Sequence, residues 1–290
     1  MFDDDIQGTG GVALAGLYSA LRLTGNRLTD HKFLFLGAGE AGIGIGDLIV
    51  TALMAEGMPE SEAKRRCWYV DINGLIVKSR TDLAPHHLPF AHDHAFMGDF
   101  QQAVEAIAPT AIIGVSGAPN MFARPVIEAM ARMNPCPIIF ALSNPTSKSE
   151  CTAEEAYTWS EGRAVFASGS PFEPVTYKGK TFVPAQSNNS YIFPGVGLGV
   201  IISEATRVTG EMFFEAAKTL GGMVTAEEFA VGRIYPRLDR IREVSIAIGV
   251  AVAEVAFRRG LTKMNRPGDL AGHLKAKMYD PVYAEYVPRS

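Results

Sequence analysis

Apolar residues at helical spacing open the chain. Between Gly10 and Leu23, residues Val12, Leu14, Ala15, Leu17, Tyr18, Leu21 and Leu23 recur along one stripe, and Gly25-Asn26 supplies a stop. The spacing predicts a helix over about residues 9–25. Lys32–Leu36 is then a short apolar run rich in Phe and Leu. It leads into Gly37-Ala38-Gly39-Glu40-Ala41-Gly42 and a second helical pattern reaching Ala55. Further apolar runs at Cys67–Asp71, Ala111–Val115, Ile138–Leu142 and Val165–Ser168 read as strands, separated by helical stretches such as Phe100–Ile107 and Pro125–Met133. Strands that are apolar throughout, alternating with helices, imply an α/β fold: a doubly wound, mostly parallel sheet covered on both faces. Toward the C-terminus, the loop Ser187–Gly199 leads into a helix expected at about Leu198–Arg207. Val244, Ile248, Val252, Val255 and Ala256 mark another over Ile241–Arg259, so flanking helices occupy about residues 195–260. No internal repeat or low-complexity segment interrupts residues 1–290, which read as one domain.

The glycine turn between the first strand and the following helix carries the first chemistry. In a dinucleotide-binding, Rossmann-like turn the first glycine (Gly37) permits the tight bend. The second (Gly39) lets backbone N–H groups approach a pyrophosphate, and the third (Gly42) allows close strand–helix packing. Glu40 and Ala41 complete the first helical turn at the phosphates. The motif alone is weak, and its place between strand and helix strengthens it. Asp71, at the end of the second strand, stands where a carboxylate would accept hydrogen bonds from an adenosine ribose. Its spacing exceeds the usual ~20 residues, an excess assigned to an insertion at Gly57-Met58-Pro59-Glu60-Ser61. The alternative is a structural glycine turn with Asp71 capping a bend. Gly114-Val115-Ser116-Gly117 and Ala141-Leu142-Ser143-Asn144-Pro145 are also strand ends running into small or polar residues. The carboxyl ends of parallel strands line the ligand crevice, so Ser116, Gly117 and Asn144 are candidate contacts. A satisfied loop asparagine is the plainer reading of Asn144.

Charge and composition narrow the partners. The net charge of −4 is spread along the chain without a Lys/Arg cluster, which argues against nucleic acid. No apolar run reaches the roughly eighteen residues that span a bilayer, and Asp3-Asp4-Asp5 is unlike the cationic start of a signal peptide. A cytoplasmic location is therefore expected, without a membrane. Cys67, Cys136 and Cys151 are odd in number, lack C-x-x-C spacing and lie in or beside apolar stretches, so reduced structural thiols are expected. His92-Asp93-His94 has no third ligand nearby and reads as surface residues, not a metal site.

Several separated segments together resemble the malic enzymes. They are Phe2-Asp3-Asp4-Asp5-Ile6-Gln7-Gly8-Thr9, the glycine turn, Ala141–Thr146 (A-L-S-N-P-T), Gly169–Phe172 (G-S-P-F) and Asn188–Gly195 (N-N-S-Y-I-F-P-G), in family order along essentially the whole chain. The resemblance implies hydride transfer from malate to NAD(P), decarboxylation of the resulting oxaloacetate, and protonation of the enol to pyruvate, assisted by Mg²⁺ or Mn²⁺. It makes Asp5 a metal ligand and Asp4 a carboxylate supporting the family's catalytic lysine. Asn144 and Asn189 become substrate-binding residues, with Asn188 beside them at the cofactor. A hard cation suits carboxylate oxygens and can polarise a hydroxyl and then a ketone. Without the resemblance, three aspartates read as an acidic helix start favoured by the helix dipole.

Members of that family also carry a preceding domain with the general-base lysine, a tyrosine acid and two further acidic metal ligands. This sequence begins at Met1, just before the F-D-D-D motif, and contains none of it. The chain is therefore expected to bind nucleotide while being catalytically incomplete, acting as a homo-oligomer or with the absent domain in trans. Asp71 is followed by Ile72 and Asn73 and by no immediate basic residue, which leans the cofactor toward NAD over NADP, although Lys78, Arg80, His86 and His87 follow closely. Two other readings stand beside this one. One is the nucleotide domain of another dehydrogenase, which would not need the acidic opening. The other is a non-catalytic dinucleotide-binding or assembly module.

Overall fold

A computed structural model describes residues 2–279. After a π-helical turn at Asp4–Gly8, α1 (Thr9–Thr24) leads to β1 (Phe33–Leu36), α2 (Glu40–Ala55), α3 (Glu60–Arg65), β2 (Cys67–Asp71) and β3 (Gly74–Leu75). There follow α4 (Phe100–Ile107), β4 (Ala111–Gly114), α5 (Arg124–Met133), β5 (Ile138–Ala141), α6 (Ala153–Trp159) and β6 (Val165–Ser168). A hairpin, β7 (Val175–Tyr177) and β8 (Lys180–Phe182), precedes β9 (Ala185–Gln186). The chain continues through α7 (Phe193–Ile202), α8 (Gly210–Gly222), α9 (Ala226–Ala230), α10 (Ile241–Arg258) and α11 (Leu270–Lys277).

Seven strands form one sheet in the order β3-β2-β1-β4-β5-β6-β9. Every pairing is parallel except β2 with β3. The expected doubly wound α/β architecture is therefore present, and its strand order reverses between β1 and β4. Alternation along each strand divides the core in two. Phe33 and Phe35 join one apolar cluster with α1 and α2, while Leu34 and Leu36 join a second with α4, α5 and α6. Because both faces are covered, these strands lose the apolar/polar alternation of a half-exposed sheet. α1 is buried almost all round, against α2 and α8. Its Leu14 and Leu17 are fully buried, and each such side chain stabilises by about 1.5–3 kcal/mol.

Some local expectations need correction. The supposed insertion at residues 57–61 starts a helix, with Pro59 as the extended cap of α3. α7 begins at Phe193, five residues before the expected start at Leu198, because Pro194 sits in its first turn, where a missing N–H removes no bond. It ends at Ile202, and Glu204 turns into the left-handed region at φ 51°. Cys67 and Cys151 are buried free thiols, but Cys136 is exposed. His92 is not a surface residue: it is 8% exposed, stacks on Trp68 at 3.5 Å, and its Nε2 lies 2.8 Å from the Cys67 carbonyl.

Burial lowers the pKa of both His31 and His92 below the usual 6.5. The unfolded chain therefore takes up these protons first, so their effect favours unfolding as the pH falls below about 6.5 and vanishes above it. Thermal melts should show a midpoint lower at pH 5.5 than at pH 7.5. A flat profile would contradict a neutral, buried His92.

Candidate active site

The carboxyl ends of β1, β2 and β4 open onto a cavity of about 680 Å³ lined by Gly37, Gly39, Asp71, Ser116, Ala118 and His86, among others. Four candidates from the sequence, Gly37, Gly39, Asp71 and Ser116, thus share one wall. The three glycines of the turn have three separate reasons to be glycine. Gly37 adopts φ 107°, and a Cβ there would lie 2.7 Å from the Val115 carbonyl oxygen. A Cβ on Gly42 would lie 2.5 Å from the Gly37 carbonyl oxygen, inside the strand–helix contact. Gly39 has nothing within 4 Å of its Cβ position and keeps an extended backbone, φ −74° and ψ −177°. Gly39 is the N-cap of α2, and no side chain caps that helix. The first N–H groups of α2, those of Glu40, Ala41 and Gly42, are consequently free of side-chain acceptors. Together with the helix dipole they form an anion cradle.

His87, which lines the same cavity, fixes the turn. Its Nδ1 is 3.3 Å from the Ala84 N–H and accepts from it, so Nε2 carries the proton and donates to the Ala38 carbonyl at 2.9 Å.

Asp71 is less available than the sequence implies. Arg80 holds it bidentately, Nη1 to Oδ1 at 2.8 Å and Nη2 to Oδ2 at 2.9 Å, and the Asn73 N–H also donates to Oδ1 at 2.8 Å. One Oδ2 lone pair remains for a ribose hydroxyl. Hydrogen bonds from Arg80 to Asp82 and then to Asp71 raise the guanidinium pKa further above its usual value, so the charge is fixed. Only the nearness of Arg80 in sequence hinted at this pair.

Ser116 and Gly117 belong to a different network. Glu150, fully buried, accepts from the Ser116 N–H and hydroxyl, both at 3.1 Å, and from the Ser143 hydroxyl. The Gly117 N–H donates to Ser143 Oγ at 2.9 Å. Both N–H groups are therefore already engaged; Ser116 lines the cavity, whereas Gly117 is not among its lining residues. Asn144 stands exposed just beyond β5. Glu150 was not foreseen, since an acid in the polar stretch Ser147-Lys148-Ser149-Glu150 gives no sign of burial.

The acidic opening packs on α2 at Gly44, where an added Cβ would meet Ile6. Its aspartates have three different fates. Asp3 caps the π-helical turn, accepting from the Ile6 N–H at 3.0 Å. Asp4 is held by Asn189, whose Nδ2 donates to the Asp4 carbonyl at 3.0 Å and to Oδ2 at 3.3 Å, which brings two candidates together. Asp5 is exposed. Asn188 is occupied locally, its Oδ1 accepting from the Ser190 N–H at 2.9 Å. Asp4 Oδ1 is buried without a partner and is a spare oxygen ligand. Among the described residues, however, no three His, Cys, Asp or Glu side chains gather to hold a metal. One or two carboxylates fall short of fixing Mg²⁺ or Mn²⁺, so the residues present do not themselves make a metal site.

Residues 6–257 match the family model described as the malic enzyme NAD-binding domain. The chain belongs to the malic enzyme family. It is 54% identical over 288 residues to an NADP-dependent malic enzyme of Vitis vinifera, covering 98% of this chain and 49% of the relative. It is 53% identical over 289 residues to a chloroplastic NADP-dependent malic enzyme of Flaveria pringlei, covering 99% and 45%. A malic enzyme structure from Pyrococcus horikoshii superposes on 95% of this chain and 59% of its own, at 25% identity and a TM-score of 0.75. The chain thus spans about half the length of the curated malic enzymes it matches. The expected cytoplasmic location is withdrawn, because several of these malic enzymes, that of Flaveria pringlei among them, are named chloroplastic.

Proposed function

We propose that this chain binds NADP(H) and forms the nucleotide-binding part of a malic enzyme, which converts malate to pyruvate and CO₂ with a divalent cation. The observation that carries the reading is the cradle at Gly39. There the uncapped N-terminus of α2 opens into a cavity at the point where the strand order reverses. Asp4 and Asn189, joined at the edge of α2, are assigned to the malate side, with Asn144 as a further substrate contact and Asp5 as one carboxylate of an otherwise external metal site. Two observations support NADP over the NAD suggested by Ile72 and Asn73. The malic enzymes of Vitis vinifera and Flaveria pringlei, more than 50% identical to this chain, are named NADP-dependent, and the charge of Asp71 is already spent on Arg80.

Fluorescence titration with NADPH and NADH tests the cofactor. NADPH should bind at least about tenfold tighter, a difference of ~1.4 kcal/mol. Tighter NADH binding would overturn the choice of NADP, and saturation by neither would overturn the cradle. The 290-residue polypeptide should show no steady malate-dependent NADPH formation, because its described residues assemble no three-ligand metal site. Sustained turnover would contradict that assignment.

A further inference from the structure

Glu150 is fully buried, and a carboxylate without water must find its stabilisation in fixed donors. Its donors come from two loops. Ser116 on the β4–α5 loop gives its N–H and hydroxyl at 3.1 Å, and Ser143 just after β5 gives its hydroxyl and, at 3.4 Å, its N–H. The network then extends outward: the Gly117 N–H donates to Ser143 Oγ at 2.9 Å and the Ala118 N–H to Ser116 Oγ at 3.1 Å. The backbone around Glu150 ties the same two loops again, with the Phe122 N–H donating to the Glu150 carbonyl at 2.9 Å and the Asn120 N–H to the Ser149 carbonyl at 3.2 Å. β4 ends in glycine to admit the group, since a Cβ on Gly114 would lie 2.4 Å from the Glu150 carboxyl carbon.

Ser116 and Ala118 line the cofactor cavity, and Asn144 is the residue after Ser143. In a doubly wound sheet the adenosine lies toward the β2 side of the pyrophosphate and the nicotinamide toward β4 and β5. β1 separates β2 from β4 and β5, so by strand order the carboxylate belongs to the nicotinamide side, while Ser116 and Ala118 share their cavity with Asp71.

We infer that Glu150 is a positioning residue: it locks the β4–α5 loop to the β5 loop and so shapes the nicotinamide end of the site without touching the cofactor. This rests on the nucleotide-binding reading above. Three of the four donors reach Oε1 and only the Ser143 N–H faces Oε2, so Glu150→Gln with its amide oxygen in the Oε1 place keeps most of the network, whereas Glu150→Ala removes the acceptor and leaves its donors unpaired.

Titration of the folded chain with two ligands, NADPH and 2′-phospho-ADP-ribose, which lacks nicotinamide, separates the outcomes. Glu150→Ala should weaken NADPH by about tenfold and leave 2′-phospho-ADP-ribose within about twofold, and Glu150→Gln should restore most of the NADPH affinity. Ser143→Ala, which removes the hydroxyl joining Gly117 to Glu150, should give a smaller loss with the same selectivity, and it serves as the test where Glu150→Ala does not fold. Equal weakening of both ligands, or of neither, in folded Glu150→Ala or Ser143→Ala would overturn the inference. A wild-type chain that binds neither ligand would refute the nucleotide-binding reading itself, whereas one that binds both leaves Glu150 as the only question.

Discussion

Replacing Gly39 with aspartate should weaken dinucleotide binding by about 100-fold or more while leaving the fold as stable as before or more so. Nothing lies within 4 Å of a Cβ at this position, and the backbone has the extended geometry of an N-cap. An aspartate there would accept hydrogen bonds from the N–H groups of the first turn of α2, the same donors a pyrophosphate needs. Asp at an N-cap stabilises by about 1 kcal/mol relative to an uncapping residue and only a few tenths relative to Gly. The carboxylate would also repel the phosphates: at 4 Å and an effective dielectric of 20, two charges interact by about 4 kcal/mol. With solvent screening, a loss of about 100-fold or more is expected. Titration with NADPH and a thermal melt together decide the matter. Retained affinity would show that the cradle does not hold the phosphates, and a large drop in melting temperature would show that Gly39 has a packing role.

Replacing Gly42 with alanine should do the opposite, lowering stability and binding together. Its Cβ would fall 2.5 Å from the Gly37 carbonyl oxygen and 3.2 Å from Val115 Cγ2, both inside the contact between α2 and the sheet. Backbone cannot rotate aside as a side chain would, so α2 must move outward and carry the turn at Gly37–Gly39 with it. Overpacking of this kind costs about 1–3 kcal/mol, which shifts the midpoint by roughly 2–4 °C per kcal/mol in a domain of this size class. The loss of affinity should follow from the displaced cradle. A stable Gly42→Ala protein with unchanged affinity would mean that the strand–helix contact is looser than these distances imply.

The contrast between these two glycines explains what was legible in the sequence. The spacing of the G-A-G-E-A-G turn between strand and helix was enough to place it, because each glycine answers a local backbone demand. The central strands were legible for a similar reason: burial on both faces makes Phe33–Leu36 and Ile138–Ala141 apolar throughout. Short elements were not. β9 has two residues, and β7 and β8 are half-exposed and polar, so their pairing depends on neighbours that no local pattern reveals. The site divides along the same line. Asp71 was legible as a strand-end carboxylate, but its capture by Arg80 requires the reversal at Ile72-Asn73 that folds β3 back on β2. Glu150 looked like an ordinary loop acid, because its burial follows from two loops closing over it. The opening aspartates were distinguishable as cap, clamp and free carboxylate only once Asn189, 185 residues away from Asp4, was in place.

The most direct measurement of the central claim is a crystal structure of the chain with NADPH. The pyrophosphate should lie at the N-terminus of α2, within hydrogen-bond distance of the N–H groups following Gly39. The adenosine should lie beside Asp71 and Arg80, and the nicotinamide above Ser116 and Ala118. A cofactor bound elsewhere, or a pyrophosphate making no contact with the first turn of α2, would contradict the account.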